Sequence, residues 1–304
     1  MQLVRSPALL ACLFTVACAS APRRATPPPA TVEPRDQTAT AAEPGPAPDD
    51  LLNAAVWSSL SVEHDLVFRE VYRDAAERLE TAISDPDWDA LSREERAEAG
   101  PAQGLPPAIV VDVDETVLDN GPYQTELIAT GKEYDDVTWA EWCGREAAQP
   151  MPGSLAFARF AEAHGVKLFY LTNRARDLGP VTLDNLRKDG FPIEGDDAFL
   201  GLGVVVPGCD QTGSHKGCRR LLIGRRYRVL MQFGDQVGDF LDVVSNTLEG
   251  RRKVVEPYAS WIGERWWVLP NPTYGSWEPA LFDNQWALPR AERRRLKIEA
   301  LEGQ

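Results

Sequence analysis

Two kinds of hydrophobic pattern alternate along most of the chain. Short apolar runs rich in β-branched and aromatic residues predict buried strands, and segments with apolar residues every three or four positions predict amphipathic helices. The predicted strands cover residues 109–111, 166–171, 200–206, 229–233 and 266–269. The predicted helices cover residues 51–84 (as one helix or two), 137–148, 154–164, 182–188, 214–226 and 289–304. Because strands alternate with helices, we expect an α/β fold with a doubly wound parallel sheet. The helices predicted at residues 51–84 precede the first strand, at the N-terminus of the domain.

Two acids directly follow the first predicted strand. The apolar run 109–111 ends in Asp112 and Asp114, which lie two positions apart. In open α/β sheets, ligands bind outside the carboxyl ends of the strands, so these carboxylates are expected where chemistry is usually done. Taken alone, the pair could equally form a turn or cap a helix. The interpretation as a reactive site therefore depends on the residues at the ends of the other strands.

Polar residues also come after the later strands. Thr172 and Arg174 come directly after the second strand, and Lys216 lies near the start of the basic helical segment 214–226. Asp235 comes after the fourth strand and a glycine, with Asp239 four positions further on. Together with the two acids of the first strand, these residues form a single expected constellation at the carboxyl edge of the sheet.

The order of these segments resembles the haloacid-dehalogenase-like (HAD) phosphohydrolases, with Asp-x-Asp, Thr, Lys and Gly-Asp in turn. The resemblance narrows to the bacterial lipoprotein (class C) acid phosphatases, which include outer-membrane 5′-nucleotidases. It is carried by DVDETVLDNGPY (112–123), WAEW (139–142), FYLTNR (169–174) and LPNPTYGSW (269–277). It extends from about residue 57 to about residue 277. The family implies a HAD-like, Rossmannoid sheet with a small helical cap insertion, here at about residues 119–150.

Two segments differ in sequence from the family's usual motifs. The fourth motif usually reads Gly-Asp-Asn-Leu-x-Asp-Phe, whereas residues 234–240 read Gly-Asp-Gln-Val-Gly-Asp-Phe. The segment around Lys216 also differs from the usual one. Lys188, in the tail of a plain helix, is the alternative to Lys216, which could also be an ordinary surface lysine.

The resemblance implies a reaction and a role for each matching residue. Asp112 is expected to attack phosphorus and form an aspartyl-phosphate, and Asp114 to serve as general acid and then as general base. Mg²⁺ is the expected cofactor, held by a carboxylate oxygen of Asp112, the backbone carbonyl of Asp114, and Asp235. Thr172 and Lys216 are expected to bind the phosphoryl oxygens.

Four other residues keep two possible roles each. Asp239 is expected either to orient Lys216 or a water molecule, or to cap the helix after it. Arg174 is expected to bind substrate or to pair with a structural acid. Trp142 and Tyr274 are substrate-binding candidates because aromatic rings could hold a nucleobase or aryl group, although such rings more often pack in a core. The full aromatic group consists of Tyr123, Trp139, Trp142, Tyr274 and Trp277.

Residues 1–18 are expected to form an export signal. Arg5 precedes a short apolar stretch that fits such a signal and is too short for a transmembrane span. The run TVACAS resembles a lipoprotein cleavage box with Cys18 as the lipidated residue. A second box-like run ending at Cys12, and cleavage without lipidation, are the alternatives.

A tether and one large domain are expected after this signal. Residues 19–50 are rich in Pro, Ala and Thr and lack apolar anchors, which predicts a disordered tether. Residues 51–304 form the expected phosphatase domain. The expected location is a membrane-anchored lipoprotein at the outer membrane or periplasmic face, or otherwise the periplasm.

The net charge of −14 restricts the partners of the chain. An acidic surface argues against nucleic-acid polymers and anionic membrane faces, so membrane contact is expected through the N-terminal lipid only. Small phosphate esters, such as nucleoside monophosphates or aryl phosphates, are the expected substrates and need local cations for binding. The family resemblance suggests a homodimer. A basic run at residues 290–297 predicts a solvated helix face, with an anion or partner site as the alternative.

Three cysteines lie in the expected domain and permit at most one internal disulfide. Cys209 and Cys218 bracket Lys216 in a short, polar, glycine-containing segment. In an exported protein they could form a disulfide that staples this loop and presents the lysine, or they could stay unpaired.

These observations predict a Mg²⁺-dependent phosphomonoesterase, an acid phosphatase that could act as a 5′-nucleotidase. A non-catalytic envelope lipoprotein that uses the fold as a binding module is one alternative. A phosphotransferase, which passes the phosphoryl group to another alcohol, is a second. Retention of Asp112, Asp114 and Asp235 favours catalysis, since an inactive relative is expected to lose one of them.

Overall fold

The computed structural model describes residues 50–303. The predicted export signal with its lipid-attachment cysteine (1–18) and the predicted tether (19–50) lie outside this range, apart from Asp50. Within the described range, no helix combines the length and the apolar character that are needed to cross a bilayer.

Strands and helices alternate, as the hydrophobic pattern predicts. The strands are β1 (Pro107–Val111), β2 (Leu118–Asp119), β3 (Gln149–Pro150), β4 (Lys167–Ala175), β5 (Phe199–Leu202), β6 (Arg228–Gly234) and β7 (Trp266–Val268). The α-helices are α1 (Leu52–Leu60), α2 (Val62–Ser84), α3 (Arg93–Ala99), α4 (Gly121–Thr130), α5 (Asp136–Gly144), α6 (Ser154–Ala163), α7 (Gly179–Asp189), α8 (Gly217–Gly224), α9 (Val237–Phe240), α10 (Leu248–Val255) and α11 (Arg290–Glu302).

Five strands form one parallel sheet in the order β5-β4-β1-β6-β7. The central strand β1 places Val111 opposite Tyr170 of β4 on one side and opposite Phe233 of β6 on the other. From β1 the chain adds β4 and β5 in one direction, and then β6 and β7 in the other. The carboxyl ends of β1 and β6 therefore flank the switch point, where open α/β sheets bind their ligands.

The sheet separates two hydrophobic cores. Ile109 and Val111 of β1 point into one core, which α2 and α6 cover, whereas Ala108 and Val110 point into the other. The second core also contains Ile223 of α8. This alternation results from the two-residue period of a strand buried on both faces. The doubly wound α/β fold predicted from the sequence is confirmed.

A short antiparallel pair closes off one insertion. Leu118 of β2 lies opposite Pro150 of β3, and Asp119 lies opposite Gln149. The chain between these strands carries α4 and α5, and the β2–β3 pair brings its two ends together. It lies between residues 119 and 149, and the role of the segment 119–150 as a cap insertion stays a prediction.

Several element bounds differ from the sequence predictions. The helical segment 51–84 is two helices because Ser61 breaks it and accepts a hydrogen bond from the N–H of His64, which caps α2. The predicted strand 200–206 ends at Leu202, since Gly203 takes a φ of +92° and turns the chain. Hydrophobic periodicity missed α3 and α10, which have no buried residue.

Candidate active site

The predicted residues meet at the carboxyl edge of the sheet. Asp112 directly follows β1, Thr172 lies within β4, and Asp235 directly follows β6. Lys216 precedes the first residue of α8, and its side chain reaches the same edge. Parallel pairing brings these strand ends together although they are far apart in sequence.

Lys216 is buried with a complete set of acceptors. Its Nζ lies 2.5 Å from Oδ1 of Asp112, 2.7 Å from Oδ1 of Asp239 and 2.8 Å from the carbonyl oxygen of Leu171. Burial by itself lowers the pKa of this lysine, but the two carboxylates outweigh it and raise the pKa above its ordinary value. Because an ammonium group has three donors, a phosphoryl oxygen must replace one of these acceptors to bind here.

Asp112 is only 6% exposed, and burial and nearby charges shift its pKa in opposite directions. Burial raises the pKa of Asp112 to about 7; Lys216 opposes this shift, and Asp239 and Asp114 add to it. The second oxygen, Oδ2, accepts a long hydrogen bond of 3.4 Å from the hydroxyl of Thr116. Without a further positive charge, the ionised form of this buried acid is therefore costly.

Asp112, Asp235 and Asp239 form a group of three carboxylates. One oxygen of each lies within 4.8 Å of the others. Burial, together with the charges of Asp239 and Asp112, raises the pKa of Asp235 well above its ordinary value. Three clustered carboxylate oxygens are a donor set that fits a hard divalent cation. The predicted ligands Asp112 and Asp235 both belong to this group, and Asp239 joins them.

Asp239 combines the two roles that the sequence left open. It pairs with Lys216, and its Oδ2 also accepts the backbone N–H of Gln236 at 2.8 Å, which caps the short helix α9. Gly234 makes this possible because a Cβ there would lie 2.2 Å from Oδ2 of Asp239. The glycine of the Gly-Asp motif is thus required for close approach of the acid.

Asp114 belongs to a second network. Its Oδ1 accepts from Nε of Arg174 at 2.9 Å, and Nη2 of the same arginine lies 2.8 Å away. The Nδ2 of Asn120 donates to Oδ1 at 2.9 Å, and the hydroxyl of Thr172 donates to Oδ2 at 3.3 Å. The carboxylate of Asp114 therefore stands apart from the three-carboxylate group; only its backbone carbonyl was predicted as a ligand.

Arg174 is 2% exposed and pairs with an acid of the site itself. Burial lowers the pKa of this guanidinium, but Asp114 more than reverses the effect. The hydroxyl of Thr182 accepts from Nη1 at 3.2 Å, and the guanidinium carbon lies 5.4 Å from the ring centre of Trp139. The arginine thus connects β4, α7 and the insertion.

Asn120 links the insertion to Asp114, although it was not among the residues predicted from the sequence. Its Oδ1 accepts from Nε1 of Trp142 at 2.8 Å and from Nη2 of Arg174 at 3.3 Å. Its place in the DVDETVLDNGPY run was the available signal. Trp142 is only 4% exposed, so it stands behind Asn120 in the core instead of presenting a ring to an open site.

The exposed aromatic surface near Arg174 comes from other residues. Trp139 is partly buried, and its ring centre lies 5.2 Å from that of Tyr123 and 6.2 Å from that of Tyr134. Tyr134 is 58% exposed and was not among the predicted aromatics. Tyr123 is only 2% exposed, so Trp139 and Tyr134, and not Trp142, are the accessible rings on this side of Arg174.

Tyr274 lies on a C-terminal loop, residues 270–277, and contacts a buried acid. Its hydroxyl donates to Oε2 of Glu115, whose Oε1 accepts the backbone N–H of Asn120 at 2.9 Å. Burial, and then the charges of Asp114 and Asp235, raise the pKa of Glu115 well above its ordinary value. Glu115 has a φ of +53° and was also missed by the sequence analysis.

Pairing within the chain bears on three further alternatives: the cysteines, Lys188 and the basic run of α11. Cys209 and Cys218 form a disulfide, as one of the two expectations predicts, and Cys143 is free and buried. Lys188 donates to the carbonyl of Glu146 on the protein surface and takes no part in the constellation.

The basic run on α11 is a helix face with acidic partners within the chain. These pairs are Arg293–Glu133, Arg294–Asp50, Arg295–Glu292, Arg295–Glu299 and Lys297–Glu278.

Comparisons with known proteins agree with this geometry. The family described as "HAD superfamily, subfamily IIIB (Acid phosphatase)" matches residues 58–277. Acid phosphatase 1 of Solanum lycopersicum is 28% identical over 170 residues, which make up 54% of this chain and 57% of the relative. The stem 28 kDa glycoprotein of Glycine max is 28% identical over 167 residues, 54% of this chain and 58% of the relative. The chain thus spans a little over half the length of these curated relatives.

The likeness extends to solved structures. The class C acid phosphatase from Bacillus anthracis with tungstate bound has a TM-score of 0.69 at 28% identity, and the match covers 82% of this chain and 95% of that one. The matched range contains Asp112, Asp114, Thr172, Lys216 and the Gly-Asp motif. The chain belongs to the acid phosphatases that form subfamily IIIB of the HAD superfamily.

Proposed function

We propose that this protein is a Mg²⁺-dependent phosphomonoesterase that works through an aspartyl-phosphate on Asp112. The observation that carries the proposal is the division of labour at the end of β1. Asp112 contacts Lys216 and belongs to the three-carboxylate group, while Asp114 is held separately by Arg174 and Asn120. Two acids two residues apart therefore have surroundings suited to two different tasks.

In the first step, a carboxylate oxygen of Asp112 attacks phosphorus, and the bond from phosphorus to the ester oxygen breaks. Asp114 gives a proton to the departing oxygen, so that it leaves as a neutral alcohol. In the second step, Asp114 takes a proton from a water molecule that attacks the aspartyl-phosphate. The products are inorganic phosphate and the free Asp112 carboxylate.

Positive charge around the phosphoryl group comes from the chain and from the cation. Lys216 and the hydroxyl of Thr172 bind phosphoryl oxygens. A bound cation would be held by Asp112 and Asp235 with the backbone carbonyl of Asp114, and Asp239 would complete the acidic group. When bound, Mg²⁺ neutralises charge on the phosphoryl oxygens and on the clustered carboxylates. The tungstate in the Bacillus anthracis relative supports a site for a tetrahedral oxyanion.

We assign the substrates to small esters with a planar group, such as nucleoside monophosphates and aryl phosphates. Trp139 lies against Arg174, and Tyr134 is exposed beside it, so a base or aryl ring could stack there while its phosphate reaches Asp112. Anchoring to a membrane through Cys18, the outer-membrane or periplasmic location, and assembly into a homodimer stay predictions.

The proposal is tested by phosphate release from an aryl phosphate with and without EDTA. We expect EDTA to abolish hydrolysis, added Mg²⁺ to restore it, and Asp235→Ala to raise the Mg²⁺ concentration required. Full activity in EDTA would remove the metal from the proposal. An Asp235→Ala variant that saturates at the wild-type Mg²⁺ concentration with normal turnover would remove this residue as a ligand.

A further inference from the structure

Gln236 is the residue at which the fourth motif departs from its usual asparagine, and its side chain has three polar contacts. Its Nε2 donates to Oδ2 of Asp235 at 2.9 Å and to the carbonyl oxygen of Tyr274 at 3.3 Å. Its Oε1 accepts the backbone N–H of Ser276 at 3.1 Å. One amide therefore bridges an acid of the cation group and the C-terminal loop (270–277).

The same oxygen of Asp235 has a second donor from that loop. The Nδ2 of Asn271 donates to Oδ2 at 2.7 Å. Two amide donors on Oδ2 restrict rotation of the carboxylate and leave Oδ1 for a cation. Hydrogen bonds from outside the ligand set are a common means of orienting metal ligands in proteins.

Gln236 also acts on a second carboxylate and fits closely against the loop backbone. Its own N–H donates to Oδ2 of Asp239 at 2.8 Å, so it orients two of the three acids. A Cβ at Gly275 would lie 2.3 Å from both Nε2 and Oε1 of Gln236, and Gly275 has a φ of +153°. The loop thus approaches the amide as closely as only glycine allows.

We propose that Gln236 is a positioning residue for the cation site. It fixes the carboxylates of Asp235 and Asp239 and makes the C-terminal loop a structural part of that site. The longer side chain reaches the acid and the backbone of Ser276 at once, which the usual asparagine is too short to do from this position. The inference rests on the proposed Mg²⁺ dependence, and it concerns affinity for the ion before any substrate binds.

The chain offers a matched control on the same loop. The Nδ2 of Asn246 donates to the carbonyl oxygen of Ser276 at 2.9 Å and has no contact with Asp235. Asn246→Ala therefore loosens the loop without releasing the acid. If Gln236 acted only by holding the loop in place, the two substitutions would have the same effect on the ion.

The experiment is calorimetric titration of the metal-free full chain with MgCl₂, with folding checked by circular dichroism. Gln236→Met keeps the length of the side chain and removes both polar atoms. We expect it to raise the Kd for Mg²⁺ about tenfold or more, as loss of an outer hydrogen-bonding partner typically does. Asn246→Ala is expected to leave the Kd within about twofold of wild type, even though both variants lose loop hydrogen bonds.

The outcomes separate this inference from the proposed function. Absence of Mg²⁺ binding by the wild type would overturn the proposed metal dependence itself. Normal binding by Gln236→Met, or equal weakening by Asn246→Ala, would overturn the positioning role alone. If the methionine variant does not fold, Gln236→Asn takes its place and is expected to weaken Mg²⁺ binding by a smaller factor. An unchanged Kd in that variant would show that the bridge to the loop contributes nothing.

Discussion

The two acids that follow β1 each contact a buried, positively charged side chain. The two contacts differ in the parts of the molecule that surround them. Lys216 holds Asp112 with acceptors that come only from the sheet and from α9: Asp239 and the carbonyl of Leu171. Arg174 holds Asp114 together with Asn120, at the entry to the insertion. The surroundings of the proposed nucleophile are therefore built by the core, whereas those of the proposed acid include the insertion.

This difference implies that the surroundings of Asp112 and those of Asp114 can be altered separately. A change in the insertion acts on Asp114 through Asn120, and it also alters Trp139, the proposed stacking surface for the substrate. The Lys216 network has no partner in the insertion among the residues described. The contacts of Asp114 can thus change while those of Lys216 with Asp112 stay the same.

The largest effect is expected from Asp112→Asn. An amide keeps the shape of the side chain but cannot attack phosphorus, so turnover should fall by about a thousandfold or more. Steady-state kinetics with an aryl phosphate measures this loss. Lys216 keeps Asp239 as a partner, so circular dichroism should show an unchanged fold. Residual activity above about a thousandth of wild type would argue against the nucleophile role.

The loss of activity in Asp114→Asn should depend on the leaving group of the ester. Loss of a general acid typically costs about 10²–10⁴-fold, and the cost should be greater for alkyl phosphates, whose alkoxides leave poorly, than for aryl phosphates. The measurement is the ratio of kcat/KM for the two ester classes in variant and wild type. Equal losses on both classes would remove the assignment of Asp114 as acid.

Asn120→Ala tests whether the insertion reaches the chemistry through Asp114. The substitution removes a hydrogen bond to a charged group, which is worth about 1.5–3 kcal/mol, so turnover of alkyl esters should fall by roughly 10–100-fold. The Kd for Mg²⁺ should stay close to wild type because the three-carboxylate group has no contact with Asn120. A matching loss of Mg²⁺ affinity would contradict the separation of the two networks.

The smallest effect on turnover is expected from removal of the disulfide. In the double variant Cys209→Ser/Cys218→Ser, the free energy of unfolding should fall by about 2–3 kcal/mol, since the bond closes a short loop in the unfolded chain. Turnover should change by less than about threefold, because Lys216 is held by its own three acceptors and Arg219 binds the carbonyls of Ser214 and His215. Urea denaturation and kinetics measure the two quantities.

Cys143→Ala is the matched control for that variant, since it removes a cysteine and leaves the disulfide in place. Thiol titration of the unfolded, unreduced wild-type domain should detect one free thiol, from Cys143. A large fall in turnover without loss of stability would mean that the disulfide itself presents Lys216 to the substrate.

Local patterns in the sequence determined the class of the fold and which strand ends carry the candidate reactive residues. The apolar runs that end in Asp112, Thr172 and Asp235 predicted strands whose carboxyl ends meet, because a buried parallel strand is apolar on both faces. The alternation of these strands with amphipathic segments then required helices on both sides of the sheet.

The tertiary structure alone decided which charged group faces which. Lys216 and Asp112 are 104 positions apart, and Arg174 and Asp114 are 60 apart, so no local spacing could assign one cation to each acid. The sequence also did not predict that Trp142 is buried and that Tyr134 is exposed. Nor did it predict the contact of Gln236 with the C-terminal loop. Periodicity shows which face of an element is buried, whereas partners are chosen by packing between elements that are distant along the chain.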